Sequence, residues 1–154
     1  MGSSSPSNLV FDEVRQSWVR ATPEEQVRQR WLQVMIHQLG YPKELLVVEK
    51  EIKELPHLLT SHVPHRRVDI LCYGKGLHPD FALYPLLLIE CKDESLTDDA
   101  IDQVVGYNYH VKAFFAGAVS QNEVRLGYFD AAKKKHVFCS ILPPFKELMQ
   151  WAKP

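Results

Sequence analysis

The chain has 154 residues, enough for one domain of ordinary size and too few for a core plus a second independent domain. Its 45% hydrophobic and 24% charged content is that of a globular protein, and no apolar run reaches the roughly 18 residues that would point to a membrane span. With 18 Lys and Arg against 19 Asp and Glu the formal charge is −1, so the overall basic balance of many nucleic-acid binders is absent, although carboxylates gathered at a metal site would cancel basic residues elsewhere in that count.

Met1 to Ser7 is rich in Gly, Ser and Pro, with no basic cluster ahead of an apolar stretch, and residues 1–8 read as a flexible tail rather than a secretory signal. Residues 9–154 read as one domain without internal repeats. The first clear element starts at Thr22-Pro23-Glu24-Glu25, a capping box with Thr at N-cap, Pro at N1 and Glu at N3, and Val27, Trp31, Val34, Met35 and Leu39 continue it at helical spacing until Gly40-Tyr41-Pro42. Leu45 to Ile52 and Arg67 to Tyr73 read as strands, Gly74 to Tyr84 as a long loop, and Pro85 to Ile89 as a buried central strand. Asp98 to Phe115 reads as a helix with Asp98, Asp99 and Asp102 in its first turns, where the helix dipole favours acids. Val124 to Phe129 and His136 to Ile141 alternate as strands around the basic turn Lys133 to Lys135, and Phe145 to Trp151 closes with a short helix. This order predicts an α/β fold, a central mixed sheet flanked by helices. Cys72, Cys91 and Cys139 are odd in number and far apart, which fits reduced thiols and a cytoplasmic setting better than disulfides or zinc.

The chemistry centres on Asp69 and Glu90-Cys91-Lys92, in the pattern Asp-x20-Glu-Cys-Lys. On a strand Glu90 and Lys92 share one face and Cys91 turns to the other. If the strands around residues 69 and 90 pair, opposed side chains come within roughly 5 Å. Two carboxylates about 4 Å apart repel by roughly 4 kcal/mol at an effective dielectric near 20, so the cluster asks for a cation. Oxygen ligands favour Mg²⁺, with Mn²⁺ as a substitute, over zinc. Hydrolysis of a phosphodiester follows chemically: the metal polarises the phosphate and acidifies a water, and Lys92 positions that water or stabilises the developing charge. Lys92 as a general base is disfavoured by its carboxylate neighbours unless a bound metal offsets them.

Asp69 with Glu90-Cys91-Lys92 behind the apolar run Leu86 to Ile89 resembles the PD-(D/E)XK nuclease superfamily. The longer series, Thr22 to Gln29, Gly40-Tyr41-Pro42, Val48-Glu49, Arg67-Val68-Asp69, Glu90-Cys91-Lys92 and Gln103-x3-Tyr107-Asn108, is similar to the N-terminal nuclease domain of type I restriction enzyme R subunits, especially small stand-alone relatives, over roughly residues 10 to 125. The resemblance implies a restriction-endonuclease-like PD-(D/E)XK fold and Mg²⁺-dependent cleavage of DNA in restriction or repair. It implies Asp69 and Glu90 as metal ligands, the Cys91 carbonyl and Glu24 as further ones, Lys92 as the catalytic lysine, and Gln103 and Tyr107 as a pair beside the site. Partners would be DNA, with a second copy or other restriction or repair subunits as further candidates, and no membrane. Val68 stands where the superfamily name has proline, and Asn122-Glu123 where the family often has Asn-Gly after its fourth strand. No Gly-x4-Gly-Lys-Ser/Thr loop occurs, so the ATP-driven motor of large R subunits is not encoded here.

Plainer readings compete. A Glu-x-Lys at a strand end is usually a solvated ion pair, but one placed directly after Leu-Leu-Leu-Ile sits near low dielectric and needs a reason. Glu25 is accounted for by capping, whereas Glu24 falls within the stripe of Val27, Trp31 and Met35, an odd place for a carboxylate without a partner. Glu49 reads equally as a surface charge, and Gln103 and Tyr107 as a polar helix stripe with a core tyrosine. His57, His62 and His65 match no zinc spacing and read as exposed loop residues, and Lys133 to Lys135 as a hairpin face. The functional rivals are a fold of this kind that grips nucleic acid or protein without cutting, and an RNA-directed nuclease.

Overall fold

The computed structural model describes residues 8–153, so the expected tail up to Ser7 lies outside the described residues, while the Asn8 carbonyl accepts the Ala21 N–H at 3.0 Å. The chain opens with a hairpin that the sequence pattern did not announce, β1 (Leu9–Asp12) and β2 (Ser17–Arg20), which forms a separate two-stranded sheet. No Asn-Gly or Asp-Gly pair marks its turn. Asp12 makes it instead, its Oδ1 accepting the N–H groups of Val14 and Arg15 at 2.8 and 3.0 Å, with Gln16 in the left-handed region at φ 56°.

Helix α1 (Pro23–His37) starts as its signals require, with Thr22 Oγ1 accepting the Glu25 N–H at 3.1 Å. The capping box is only half made: the Thr22 N–H donates to the Arg20 carbonyl at 2.9 Å, and the Glu25 carboxylate is committed elsewhere. The main sheet has six strands, β3 (Leu46–Glu51), β4 (Arg67–Lys75), β5 (Leu83–Cys91), β6 (Phe115–Val119), β7 (Val124–Asp130) and β8 (Lys135–Cys139), in that spatial order. Only β5 and β6 run parallel, so the sheet is mixed, as expected. Leu86 to Ile89 are at most 1% exposed, and α1, α2 (Asp98–Val111) and α3 (Phe145–Ala152) all pack against β5. A continuous apolar run belongs where a strand is covered on both faces.

Several boundaries differ from the expected ones by a residue or two, the last strand ending at Cys139 rather than Ile141, and two differ by more. The helix read as running to Phe115 stops at Val111, because Lys112 takes a left-handed cap at φ 61° and the Asn108 side chain clips the next residue, accepting from the Ala113 N–H and donating to its carbonyl, both at 2.9 Å. The apolar stretch Phe115 to Val119 is thereby released as β6, parallel to β5. The expected loop from Gly74 to Tyr84 is also shorter, since Gly74, Lys75, Leu83 and Tyr84 extend the β4–β5 ladder. The Asn122-Glu123 turn needs no glycine: neither residue has positive φ, and Glu123 Oε1 accepts from Ser120 Oγ at 3.1 Å and from the Leu96 N–H at 3.2 Å.

His62 and His65 are exposed as expected, but His57 is half-buried with Nε2 2.6 Å from the Val111 carbonyl, tying its loop to the end of α2. Among the described residues no helix is long and apolar enough to cross a membrane.

Gly117 sits where β6 meets β7 so closely that a Cβ would lie 2.2 Å from the Arg125 carbonyl oxygen. Gly117→Ala is expected to destabilise the chain by about 1–3 kcal/mol, the usual cost of overpacking; urea denaturation reads this, and an unchanged midpoint would show that β7 yields freely.

Candidate functional site

The β4–β5 register pairs Ile70 with Ile89 and Leu71 with Leu88, which brings Asp69 opposite Glu90 at the end of the ladder. The Cys91 N–H donates to Asp69 Oδ2 at 2.7 Å and locks that carboxylate against β5. Glu90 is 6% exposed, and its Oε1 is buried without a hydrogen-bond partner. Its pKa is pushed up from 4.5 to about 9, first by burial and then by the hydrogen bond and charge of Asp69, against the opposing charges of Arg66 and Lys92. Lys92 is the first residue beyond β5, half-buried, and its N–H extends the parallel ladder to the Val119 carbonyl at 2.8 Å.

A buried arginine organises the other side. Arg28, 3% exposed, donates from Nη1 to Glu25 Oε1 at 2.8 Å and from Nη2 to Glu49 Oε1 at 2.6 Å and Asp69 Oδ1 at 3.3 Å. Burial alone would lower its pKa, but the bond to Glu49 and the charges of Glu25, Glu49 and Asp69 outweigh burial and raise it. Glu25 also accepts from Gln29 Nε2 at 2.8 Å and from Arg15 Nη2 at 2.9 Å, and Arg15 pairs through Nε with Asp12, so the hairpin turn is bonded into the site. Glu49 has φ 53° in the midst of β3, between the paired residues Val48 and Lys50. A left-handed non-glycine inside a strand is a strained conformation. It interrupts the ladder opposite Asp69, the point at which Glu49 reaches Arg28.

The structure therefore assembles Asp69, Glu90 and the Cys91 backbone and sets Lys92 directly after them. It does not bring Glu24 in: Glu24 is exposed, and the carboxylate on the buried face of α1 is Glu25. The correction has a simple origin. The buried stripe contains Glu25, Arg28, Gln29 and Leu32 at helical spacing, and its polar members do not register when only apolar residues mark the face. Tyr107 is 5% exposed with its hydroxyl lacking a partner, and burial followed by the Glu90 charge holds its phenol above the usual range. Gln103, one turn earlier on α2, is exposed. Sequence reasoning missed Arg28, Arg15 and Arg66, the last of which lies with Cζ 4.3 Å from the Tyr107 ring centroid. The first was accessible from the Glu25-x2-Arg28 spacing, whereas the other two depend on long-range packing.

Among the described residues no three His, Cys, Asp or Glu side chains are grouped to hold a metal ion. That agrees with the chemistry of Mg²⁺, which commonly takes one or two carboxylates and fills its shell with water and substrate oxygens. The unpartnered Glu90 Oε1 beside Asp69 is an orphaned buried acceptor of the kind a cation satisfies, so the two carboxylates fit such an ion.

The sequence matches the family model of the type I restriction enzyme R protein N terminus (HSDR_N) over residues 23–143, a span that holds Asp69, Glu90, Lys92 and Tyr107 and leaves the β1–β2 hairpin outside. No curated protein and no solved structure matches the chain.

The raised Glu90 pKa links stability to pH. Its stabilising contribution is complete below the unfolded value of 4.5 and is lost as pH rises through about 9, because the unfolded chain releases the proton first. Metal-free protein should lose melting temperature across that window relative to Glu90→Gln, with the difference between the two widening toward alkaline pH. Parallel melting curves would contradict a strained, buried carboxyl.

Proposed function

We propose a function from one premise: this chain belongs to the type I restriction enzyme R protein N-terminus family, and within a restriction-related setting we read it as a PD-(D/E)XK nuclease domain that hydrolyses DNA phosphodiesters with Mg²⁺ or Mn²⁺. The observation that supports this best is half-buried Asp69 opposite buried Glu90, whose carboxylate has an unpartnered oxygen, with Lys92 close behind in the chain. A bound divalent cation would act as a Lewis acid toward the phosphate.

The chain's own residues divide the remaining work. Asp69 and Glu90 would hold the cation, and the Cys91 N–H fixes the Asp69 carboxylate so that its orientation is set before substrate arrives. Lys92 offers an ammonium whose charge reaches Glu90, suited to orienting the attacking water or to meeting charge that develops on the phosphate. Arg28 keeps Glu25 and Glu49 neutralised, which spares the metal pair a larger like-charge repulsion. Tyr107 is buried within reach of the Glu90 charge. DNA is the substrate in this reading, and other restriction subunits or a second copy are its candidate protein partners.

A second reading, a scaffold that grips nucleic acid or protein without cutting, draws on the same Arg28: its bond to Asp69 at 3.3 Å already gives that carboxylate a cation. Incubation with Mn²⁺ and supercoiled or linear DNA separates the two. The nuclease reading expects nicking or degradation that Asp69→Ala, Glu90→Ala and Lys92→Ala each reduce by roughly a hundredfold or more, the scale of losing one aligned charge-stabilising group. Cleavage that survives all three substitutions would refute it, as would an inert wild-type protein that takes up no metal.

A further inference from the structure

Most of the guanidinium groups around the site are already spent. Arg28 answers three carboxylates, Arg15 is shared between Asp12 and Glu25, and Arg67 lies 3.8 Å from Glu51. Arg66 differs. It is exposed, and among the described residues it takes part in no ion pair. It is nonetheless well placed. Its carbonyl accepts the Ile52 N–H at 3.0 Å, which anchors its backbone three residues before Asp69, and its guanidinium lies over the ring of buried Tyr107. Its charge opposes the upward pKa shifts of both Glu90 and Tyr107.

A guanidinium held over an aromatic ring still has N–H donors to offer, and these fork naturally onto two oxygens of a phosphate. The stack also costs the side chain much of its rotamer freedom before any ligand arrives, so less is lost on binding. Among the described residues no carboxylate forms an ion pair with it. We propose that Arg66, seated on Tyr107, is the contact for a backbone phosphate of the nucleic acid, the anion-binding half of a site whose other half is the Asp69–Glu90 cation pair. This rests on the nuclease reading and specifies how a chain of near-neutral charge would grip a polyanion: through one unneutralised, pre-positioned guanidinium rather than through a broad basic surface.

The test measures affinity of the full chain for a short labelled DNA duplex by fluorescence anisotropy, with Ca²⁺ present, across roughly 50 to 200 mM salt. Arg66→Ala, and Arg66→Gln, which keeps a polar stem, should weaken binding by about tenfold and reduce the slope of log affinity against log salt by about one phosphate contact. Arg66→Lys should keep the slope and recover part of the affinity. The Mn²⁺-induced rise in melting temperature should survive in all three variants, which confirms folding and an intact cation pair. Wild-type affinity and slope in Arg66→Ala and Arg66→Gln would overturn the phosphate contact while leaving the nuclease reading standing. A residue that only tunes Glu90 would leave the salt slope unmoved, and that result too would overturn the proposal. Wild-type protein that binds no DNA at any salt would overturn the nuclease reading itself and this contact with it.

Discussion

Arg28 is the interaction on which the site depends. A guanidinium 3% exposed, facing Glu25, Glu49 and Asp69 together, is costly to bury and costlier to remove: leaving its partners behind would cost about 3–5 kcal/mol, because several carboxylates would then face one another in low dielectric. The arrangement draws α1, β3 and β4 to one point. It also explains why Glu49 tolerates a left-handed backbone, since that turn of the chain carries its carboxylate to the arginine. The hairpin joins through Arg15, which reaches the same Glu25 oxygen.

The sheet supplies the other half. Burial of Leu86 to Ile89 fixes β5 at the centre, and the β4–β5 register then leaves no choice about which residue faces Glu90. Asp69 is held by Arg28 on one oxygen and by the Cys91 N–H on the other, while Glu90 lies deeper with an oxygen that nothing satisfies. The two carboxylates are therefore unequal: one is compensated within the protein and the other waits for a partner. A cation shared between them would complete Glu90 and compete with Arg28 for Asp69, so metal affinity and the Arg28 network are coupled by geometry.

Much of this was legible in the sequence, for identifiable reasons. Glu90 and Lys92 stand out because charges directly after a run such as Leu86 to Ile89 need a reason, Asp69 because it lies on the strand expected to pair with that run, and α1 declares itself through Thr22 and Pro23. The failures are equally specific. Glu25 rather than Glu24 faces inward because the buried face of α1 is partly polar and satisfied internally, which a stripe of apolar residues alone does not mark. The helical pattern runs on to Phe115 and gives the rest of β6 no element of its own, because the end of α2 depends on the Asn108 side chain, whose clip on Ala113 leaves no periodic trace. The hairpin escaped notice because Asp12 builds its turn without the usual glycine signal. Arg66 could not be found at all from local pattern, since its significance lies in the tyrosine beneath it, more than forty residues away in the chain.

The central claim, that Asp69 and Glu90 form a cation site, is tested most directly by calorimetric titration of Mn²⁺ into the metal-free protein, beside Glu90→Gln and Glu24→Gln. Saturable binding by the wild type that persists in Glu24→Gln and disappears in Glu90→Gln is the predicted result. Binding left unchanged by Glu90→Gln, or no binding by the wild type, would contradict it.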